Sequence, residues 1–171
     1  MAAAGSCMNA TAAGRDPLPP TTVCAGQTAA GAPAGVEQRA MRCLVNFVRR
    51  RHGLAPVRAS VLLDRSAALR AEAIRSCGDF SHSPCGSPFV SVFAQVGYWR
   101  GNVAVGENLA WADLPTSSPR ETVAGWLASP PHQHILFTPS WRDGGIALLQ
   151  ADGLFGRAHV TVWVSQFGRR R

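Results

Sequence analysis

The segment from Val105 to Trp111, which reads VGENLAW, constrains the fold more than any other part of the sequence. It places the carboxylate of Glu107 and the amide of Asn108 side by side inside an apolar run. Burying such groups costs free energy unless other polar groups pair with them. Two histidines in unusual settings, His82 and His132, are the plausible partners. We therefore expect the fold to bring Glu107, His82 and His132 together at one pocket.

Length and composition indicate a globular protein. The chain has 171 residues, a hydrophobic fraction of 46% and five tryptophans, which suits one domain with a substantial core. All 17 basic residues are arginine, which excludes mechanisms that use a lysine. The net charge is +7, but apart from residues 49–51 and 169–171 the arginines are scattered, without a nucleic-acid-binding motif. We expect no specific nucleic-acid partner and at most a weak attraction to anionic surfaces.

The five cysteines bear on the compartment of the protein. Cys24 and Cys43 flank the start of the first predicted helix, and Cys77 and Cys85 flank the loop that contains Phe80-Ser81-His82. We predict the disulfides Cys24–Cys43 and Cys77–Cys85, with Cys7 unpaired, which implies a secreted or extracytoplasmic protein. The alternative is five reduced, buried thiols in a cytosolic protein.

No export signal is visible in the sequence to support secretion. Residues 1–13 are Ala-rich but lack a long apolar core, and residues 4–7 form a poor lipobox. No segment is long and apolar enough to span a membrane. The predicted localisation therefore depends on the cysteines.

The chain divides into three parts by composition. Residues 1–35 are rich in Ala, Gly, Thr and Pro, and we expect an extended or disordered lead-in that is held down only if Cys24 is bonded. Residues 36–168 are expected to form the domain, and residues 169–171 a basic tail.

Apolar periodicity and capping residues predict five helices and three strands. The helices are predicted to begin near Val36, after the cap Ser60, at Ser87-Pro88, at the capping box Ser118-Pro119-Arg120-Glu121, and at Gln133 after two prolines that exclude helix. The strands are predicted at Val103–Trp111, Gly145–Gln150 and Ala158–Phe167. The last two strands form a hairpin. This order predicts an α+β fold with three layers, in which a small, mainly antiparallel sheet lies between helices.

The three pocket candidates have both structural and chemical interpretations. His82 is either an exposed loop residue or a functional one, and His132 is either a capping residue or a functional one. Two neutral imidazoles at one cleft are able to ligate Zn²⁺ or another divalent cation, or to act as general acid and base. Glu107 is a structural carboxylate that at the same time orients a neighbouring histidine.

The other ionisable residues receive structural assignments. Glu121 belongs to the capping box, His52 suits the carboxyl end of the first helix, and His159 is expected to be exposed on a strand. His134 is expected to point away from the cluster. No GxSxG, HExxH, P-loop or GxGxxG motif is present, and no pair of carboxylates supports a glycosidase site.

A series of short motifs runs through residues 36–168. They are Cys43-Leu44-Val45-Asn46 with Arg49, Gly53-Leu54, Phe80-Ser81-His82, Gly97-Tyr98, Gly106-Glu107-Asn108-Leu109-Ala110, Trp126-Leu127-Ala128-Ser129-Pro130-Pro131-His132, Gly145-Ile146-Ala147 and Gln166-Phe167-Gly168. In this order and spacing they resemble the CAP superfamily, or SCP-like extracellular domain. That superfamily includes the cysteine-rich secretory proteins, antigen 5, pathogenesis-related 1 and short bacterial members, the last of which this chain is most similar to.

The resemblance implies an α-β-α sandwich with a cleft that holds two histidines and two acidic residues. His82, Glu107 and His132 match three of those places, whereas the second acidic residue of many eukaryotic members falls here on Ser129. Members of the superfamily are described as metal-binding proteins, as sterol or lipid carriers and occasionally as proteases. The resemblance alone therefore does not imply a particular reaction.

We expect a secreted, monomeric, non-enzymatic binding module. Its cleft, lined by His82, Glu107, Ser129 and His132, would hold a small ligand, an envelope component, or a divalent cation such as Zn²⁺ ligated by His82 and His132. The alternative is an extracellular hydrolase of envelope peptide or glycan, in which the histidine pair works with a metal-activated water or with Ser129.

Overall fold

A computed structural model of the chain describes residues 17–114 and 116–170. Its helices and strands follow one another in this order: α1 Ala34–Arg51, β1 Arg58–Ala59, α2 Val61–Cys77, α3 Ser91–Gln95, β2 Val103–Asp113, α4 Pro119–Leu127, α5 Pro130–Leu136, β3 Asp143–Asp152 and β4 His159–Arg170. The expectation that Cys7 is unpaired, and the residues considered for an export signal, lie outside the described residues.

The four strands form one sheet in the order β1-β3-β4-β2. β4 pairs antiparallel with both β2 and β3, while the two-residue strand β1 pairs parallel with β3. The pairing of β2 with β4 is continuous from Val103 with Arg170 to Asp113 with Val160. β2 is therefore a long edge strand, and in the described part of the chain one of its sides is free of other strands.

Helices cover both faces of the sheet, which confirms the predicted three-layer α+β architecture. On one face, Ala67, Ala71 and Ile74 of α2 pack against alternate residues of β3 and β4. On the other face, α1, α4 and α5 enclose a larger core around Trp126 and Trp163. Successive side chains of β4 alternate between these cores, because successive residues of a strand point to opposite faces.

The predicted helix caps are present. The side chain of Ser60 accepts a hydrogen bond from the backbone N–H of Leu63, and Gly78 ends α2 in a left-handed conformation at φ 61°. In α4, Ser118 and Glu121 form both hydrogen bonds of the capping box. The structural role assigned to Glu121 is thereby confirmed.

Two predicted helix starts were wrong. α3 begins at Ser91 and not at Ser87-Pro88, because residues 88–91 form a separate turn that is closed by the hydrogen bond from the Ser91 N–H to the Pro88 carbonyl at 2.9 Å. α5 begins at Pro130 and not at Gln133. A proline in the first turn of a helix breaks no hydrogen bond, since the first N–H groups have no partner within the helix.

Both disulfides, Cys24–Cys43 and Cys77–Cys85, are present. The first ties residues 17–33 to α1, and Leu18 and Gln27 of this segment are buried. Arg120 of α4 also holds the segment, because its Nη1 donates to the Pro19 carbonyl at 2.6 Å. At the other end of the chain, β4 extends through Arg169 and Arg170.

Candidate functional site

A cleft of about 560 Å³ opens beside the free edge of β2. Its lining residues come from the loop between α2 and α3, from β2 and from α5: His82, Phe89, Val105, Gly106, Glu107, Asn108, Pro131, His132, His134 and Ile135. Glu107, His82 and His132 therefore share one cleft. Most of the remaining lining is apolar.

The Glu107 carboxylate is held by three side chains. Its Oε1 lies 2.8 Å from His82 Nδ1, and its Oε2 accepts hydrogen bonds from Gln166 Nε2 at 2.7 Å and from Arg70 Nε at 3.2 Å. The side chains of Glu107 and Arg70 expose 0% and 1% of their surface. Because a guanidinium is always charged, Arg70 balances the charge of the buried carboxylate. Both oxygens of Glu107 are thus committed to neighbouring protein groups.

The contact with Glu107 also assigns the tautomer of His82. An ionised carboxylate only accepts hydrogen bonds, so His82 Nδ1 carries the proton and donates it. Nε2 of the neutral ring is then left as an acceptor. The His82 side chain is 53% exposed, so this nitrogen is available to a ligand.

Sequence reasoning missed Arg70 and Gln166. Arg70 lies on the apolar face of α2, one turn after Ser66 and Ala67, and Gln166 continues the alternation of Val162 and Val164 in β4. The signal that would have found them is the same as for Glu107: a polar side chain where the periodicity predicts a buried one. Ser66 Oγ completes the network through a hydrogen bond with the Gln166 side-chain oxygen.

His132 is half-buried in the first turn of α5. Burial lowers the pKa of His132, and nearby His82 lowers it further. Its Nδ1 is buried and has no hydrogen-bond partner among the described residues. The buried Asn108 side chain donates to the His132 carbonyl at 3.1 Å and so fixes α5 against β2. His132 therefore presents a neutral ring to the cleft at neutral pH.

The structure differs from the sequence prediction at two other positions. His134 lines the cleft, although it was expected to point away from it. Since α5 starts at Pro130, Pro131, His134 and Ile135 have the i, i+3, i+4 spacing of one helical face. Ser129 is not among the cleft-lining residues and occupies the N-cap position of α5. The cleft thus lacks the serine that had been considered as a nucleophile.

The cleft supplies few ligands for a metal ion. Within residues 17–114 and 116–170 there is no group of three or more His, Cys, Asp or Glu side chains placed to hold one. The oxygens of Glu107 already bind Arg70, Gln166 and His82, which leaves imidazole nitrogens as donors. Zinc sites in proteins take at least three protein ligands, and although His82, His132 and His134 all line the cleft, they are not grouped closely enough to hold one ion, so the cleft does not fit a resident zinc ion.

Residues 43–167 match the family model described as "CAP: Cysteine-rich secretory protein family". The chain belongs to this family. The predicted resemblance is thereby confirmed. No curated protein matches the chain.

Solved structures of bacterial proteins share the fold. An outer surface protein from Borrelia burgdorferi has a TM-score of 0.67 and 17% identity, with coverage of 79% of this chain and 93% of that one. An extracellular protein containing a SCP domain from Bacillus anthracis has a TM-score of 0.64 and 20% identity over 80% of this chain. A cysteine-rich secretory protein from Staphylococcus aureus has a TM-score of 0.58 and 15% identity over 82% of this chain.

This chain corresponds to 41% of the Bacillus anthracis chain and 40% of the Staphylococcus aureus chain. At these identities the likeness shows the fold alone. Among the described residues, no helix has the length and apolar character needed to cross a membrane.

Proposed function

We propose that the chain is an extracytoplasmic, non-enzymatic binding module whose cleft takes a small, largely apolar ligand with one polar group. The observation that carries the proposal is that both carboxylate oxygens of Glu107 are hydrogen-bonded, to the side chains of Arg70, Gln166 and His82. The acid is a structural support for the cleft, and the imidazoles of His82 and His132 are the groups that meet the ligand.

The chemistry of the lining defines the kind of ligand. A cleft of about 560 Å³ is within the range of small-molecule sites. Phe89, Val105 and Ile135 offer apolar contact, and the His82 ring, whose Nδ1 donates to Glu107, offers an acceptor at Nε2. A hydroxyl group is the natural complement, because it donates to this nitrogen while its apolar body displaces water from the walls.

The extracytoplasmic location is supported by two disulfides, which persist in oxidising compartments. The structurally similar proteins from Bacillus anthracis and Borrelia burgdorferi are described as extracellular and as an outer surface protein. Expression of the chain with a cleavable export signal, followed by thiol labelling, tests the location. Fully blocked Cys24, Cys43, Cys77 and Cys85 agree with it, and four free thiols in folded protein contradict it.

Binding of a panel of aliphatic and aromatic alcohols, measured by calorimetry and by ligand-observed NMR, tests the ligand class. We expect saturable binding that weakens by about tenfold in His82→Ala, the loss of one net hydrogen bond to the ligand. His159→Ala is the matched control, since His159 also contacts a carboxylate, that of Asp152 at 2.7 Å, but does not line the cleft.

Other results of the same experiment would replace this proposal. If calorimetry shows saturable binding of ZnCl₂ that is lost in His82→Ala and in His132→Ala, the cleft is a divalent-cation site. Turnover of envelope peptide or glycan that disappears in the His82→Ala/His132→Ala double variant indicates the hydrolase. If no alcohol binds, or if His159→Ala weakens binding as much as His82→Ala, the proposed ligand class is wrong.

A further inference from the structure

Tyr98 and Asp143 join three separate parts of the chain at one end of the sheet. The buried Tyr98 donates its hydroxyl hydrogen to Asp143 Oδ2 at 2.9 Å. Asp143 Oδ1 lies 3.5 Å from Arg58 Nη2, and the guanidinium carbon of Arg170 lies 4.6 Å from the centre of the Tyr98 ring. Arg58 and Arg170, which are far apart in sequence, are therefore neighbours of the same tyrosine–aspartate pair.

Two further arginines belong to this end of the sheet. Arg142 immediately precedes β3, where its backbone N–H donates to the Gly168 carbonyl and its carbonyl accepts from the Arg58 N–H, both at 2.9 Å. Its exposed guanidinium donates to the Pro139 and Trp141 carbonyls at 3.0 Å. Arg100 follows Tyr98 by two residues, in the loop that leads into β2. We call the exposed residues Arg58, Arg100, Arg142 and Arg170 the arginine patch.

The arginine patch carries a net positive charge. Asp143 is its acidic neighbour, and both carboxylate oxygens of Asp143 are already engaged by Tyr98 and Arg58. The opposite end of the sheet is different, because there Asp113 pairs with Arg157 at 3.3 Å and Asp152 with His159 at 2.7 Å. The two ends of the sheet therefore differ in charge, and the positive charge of the patch faces solvent.

An exposed tryptophan accompanies these charges. Trp99 lies between Tyr98 and Arg100 in sequence and exposes 40% of its surface. An indole ring is costly to leave in water but suits the boundary of a lipid bilayer, where its apolar body and its N–H both find partners. Arginines beside it are attracted to anionic headgroups. Exposed arginines together with an exposed indole are the combination found at bilayer surfaces, which favours a lipid bilayer over a purely charged polymer.

We propose that the arginine patch and Trp99 form a face that docks this domain on an anionic lipid bilayer. None of these residues lines the cleft, so the docking face and the ligand site are separate surfaces of the molecule. Arg58, Arg100, Arg142 and Arg170 supply the electrostatic attraction, and Trp99 inserts its ring at the level of the headgroups. The attraction weakens with salt, since the charges are exposed.

Sedimentation with vesicles tests this proposal on the full chain. We expect binding to phosphatidylglycerol/phosphatidylcholine vesicles and not to pure phosphatidylcholine vesicles. Arg58→Gln/Arg170→Gln should weaken partitioning by roughly 20-fold, at about fivefold per arginine near an anionic surface. Trp99→Ala should weaken it and abolish the blue shift of tryptophan fluorescence that accompanies binding.

Matched variants separate this face from the general charge of the protein. Arg39→Gln/Arg157→Gln removes the same charge from exposed arginines outside the patch. Trp111→Ala removes an indole of similar exposure, 37%, near the end of β2. Both variants should bind vesicles like the unmodified chain. Because Arg58 and Arg170 contact Asp143 and Tyr98, Arg100→Gln/Arg142→Gln serves as a second patch variant should the first one unfold.

Three results overturn the proposal. The first is equal binding to neutral and anionic vesicles. The second is an equal loss in the control arginine pair, which means that net charge alone acts. The third is unchanged vesicle binding in Trp99→Ala together with tight, salt-sensitive binding to dextran sulfate, which assigns the patch to an anionic polymer.

Discussion

Arg70 Nε lies 3.2 Å from Glu107 Oε2, and the two side chains expose no more than 1% of their surface. The pair joins α2 to the edge strand β2 directly beneath the cleft. The other carboxylate oxygen, Glu107 Oε1, contacts His82 Nδ1, and through this contact the buried network reaches the ligand site. The charge pair thus connects the packing of the domain to the orientation of the imidazole that we assign to binding.

Removal of either partner of this pair should destabilise the domain strongly. Glu107→Gln or Arg70→Met leaves one buried charge without its counter-ion, which costs about 3–5 kcal/mol. The Arg70→Met/Glu107→Gln double variant should lose less unfolding free energy than the two single variants lose in sum, since neither buried charge remains. Urea unfolding of the four proteins measures the coupling. Additive losses would show that the two charges do not stabilise each other.

His132 should make the domain less stable in mild acid. Because its pKa is lowered below the ordinary value of 6.5 in the fold, the unfolded chain binds a proton that the folded chain resists. This contribution to stability is complete above pH 6.5 and is lost as the pH falls below that value and through the lower pKa of the folded state. His132→Gln should flatten the fall of the unfolding free energy between about pH 7 and 5.5. Parallel pH profiles for the unmodified chain and His132→Gln would contradict this.

Arg49 should be required for folding although it has no carboxylate partner in the described structure. Its Nε donates to the Ala55 carbonyl at 3.1 Å, and its Nη1 donates to the Leu136 and Thr138 carbonyls at 2.6 and 3.2 Å. These bonds tie the loop after α1 to the end of α5, which carries one wall of the cleft. Burial lowers the pKa of Arg49, and Arg142 adds to the effect.

Arg49→Met should therefore lower the unfolding free energy by about 2–4 kcal/mol, because it leaves the backbone carbonyls that accept from the guanidinium without a hydrogen-bond donor. Arg50→Met, the exposed neighbour on the same helix, should change it by less than about 0.5 kcal/mol. Chemical unfolding of both variants provides the measurement. Equal and small losses would show that water replaces the guanidinium at these carbonyls.

The Cys77–Cys85 disulfide should restrict the loop that carries His82. It closes a loop with a sequence separation of 8, for which the chain-entropy model gives about 2.5 kcal/mol. Cys77→Ser/Cys85→Ser should lower the unfolding free energy by about this amount and speed amide exchange around His82. Cys24→Ser/Cys43→Ser should instead affect residues 17–33. If amide exchange around His82 does not respond to loss of Cys77–Cys85, the loop is held instead by the contact of His82 with Glu107 and by its edge-to-face contact with Phe89, 6.1 Å between ring centres.

The fold, and the placement of Glu107, His82 and His132 at one cleft, were predictable from the sequence because apolar periodicity indicates which positions are buried. Glu107 stood out as a charge within an apolar strand, and the structure shows it buried beside His82. The same test applied to α2 and β4 would have selected Arg70 and Gln166. Their contacts with Glu107, however, depend on the register of β2 with β4 and on the packing of α2, which are tertiary properties.

Other features of the site depended on details that the sequence leaves open. His134 reaches the cleft because α5 already includes Pro131, and residues three apart in a helix lie on the same face. The arginine patch was not predicted, since Arg58, Arg100, Arg142 and Arg170 are scattered along the chain. The sheet brings them together because β1, β2 and β3 begin, and β4 ends, at the same end of the sheet.

The most direct test of the proposed binding site is the ¹⁵N NMR spectrum of the imidazoles while an alcohol that binds is added. We predict that free His82 is the tautomer protonated at Nδ1, and that its Nε2 resonance shifts on binding as this nitrogen accepts the ligand hydroxyl. The His159 resonances should not move. A His82 ring protonated at Nε2, or an Nε2 resonance unchanged at ligand saturation, would contradict the account.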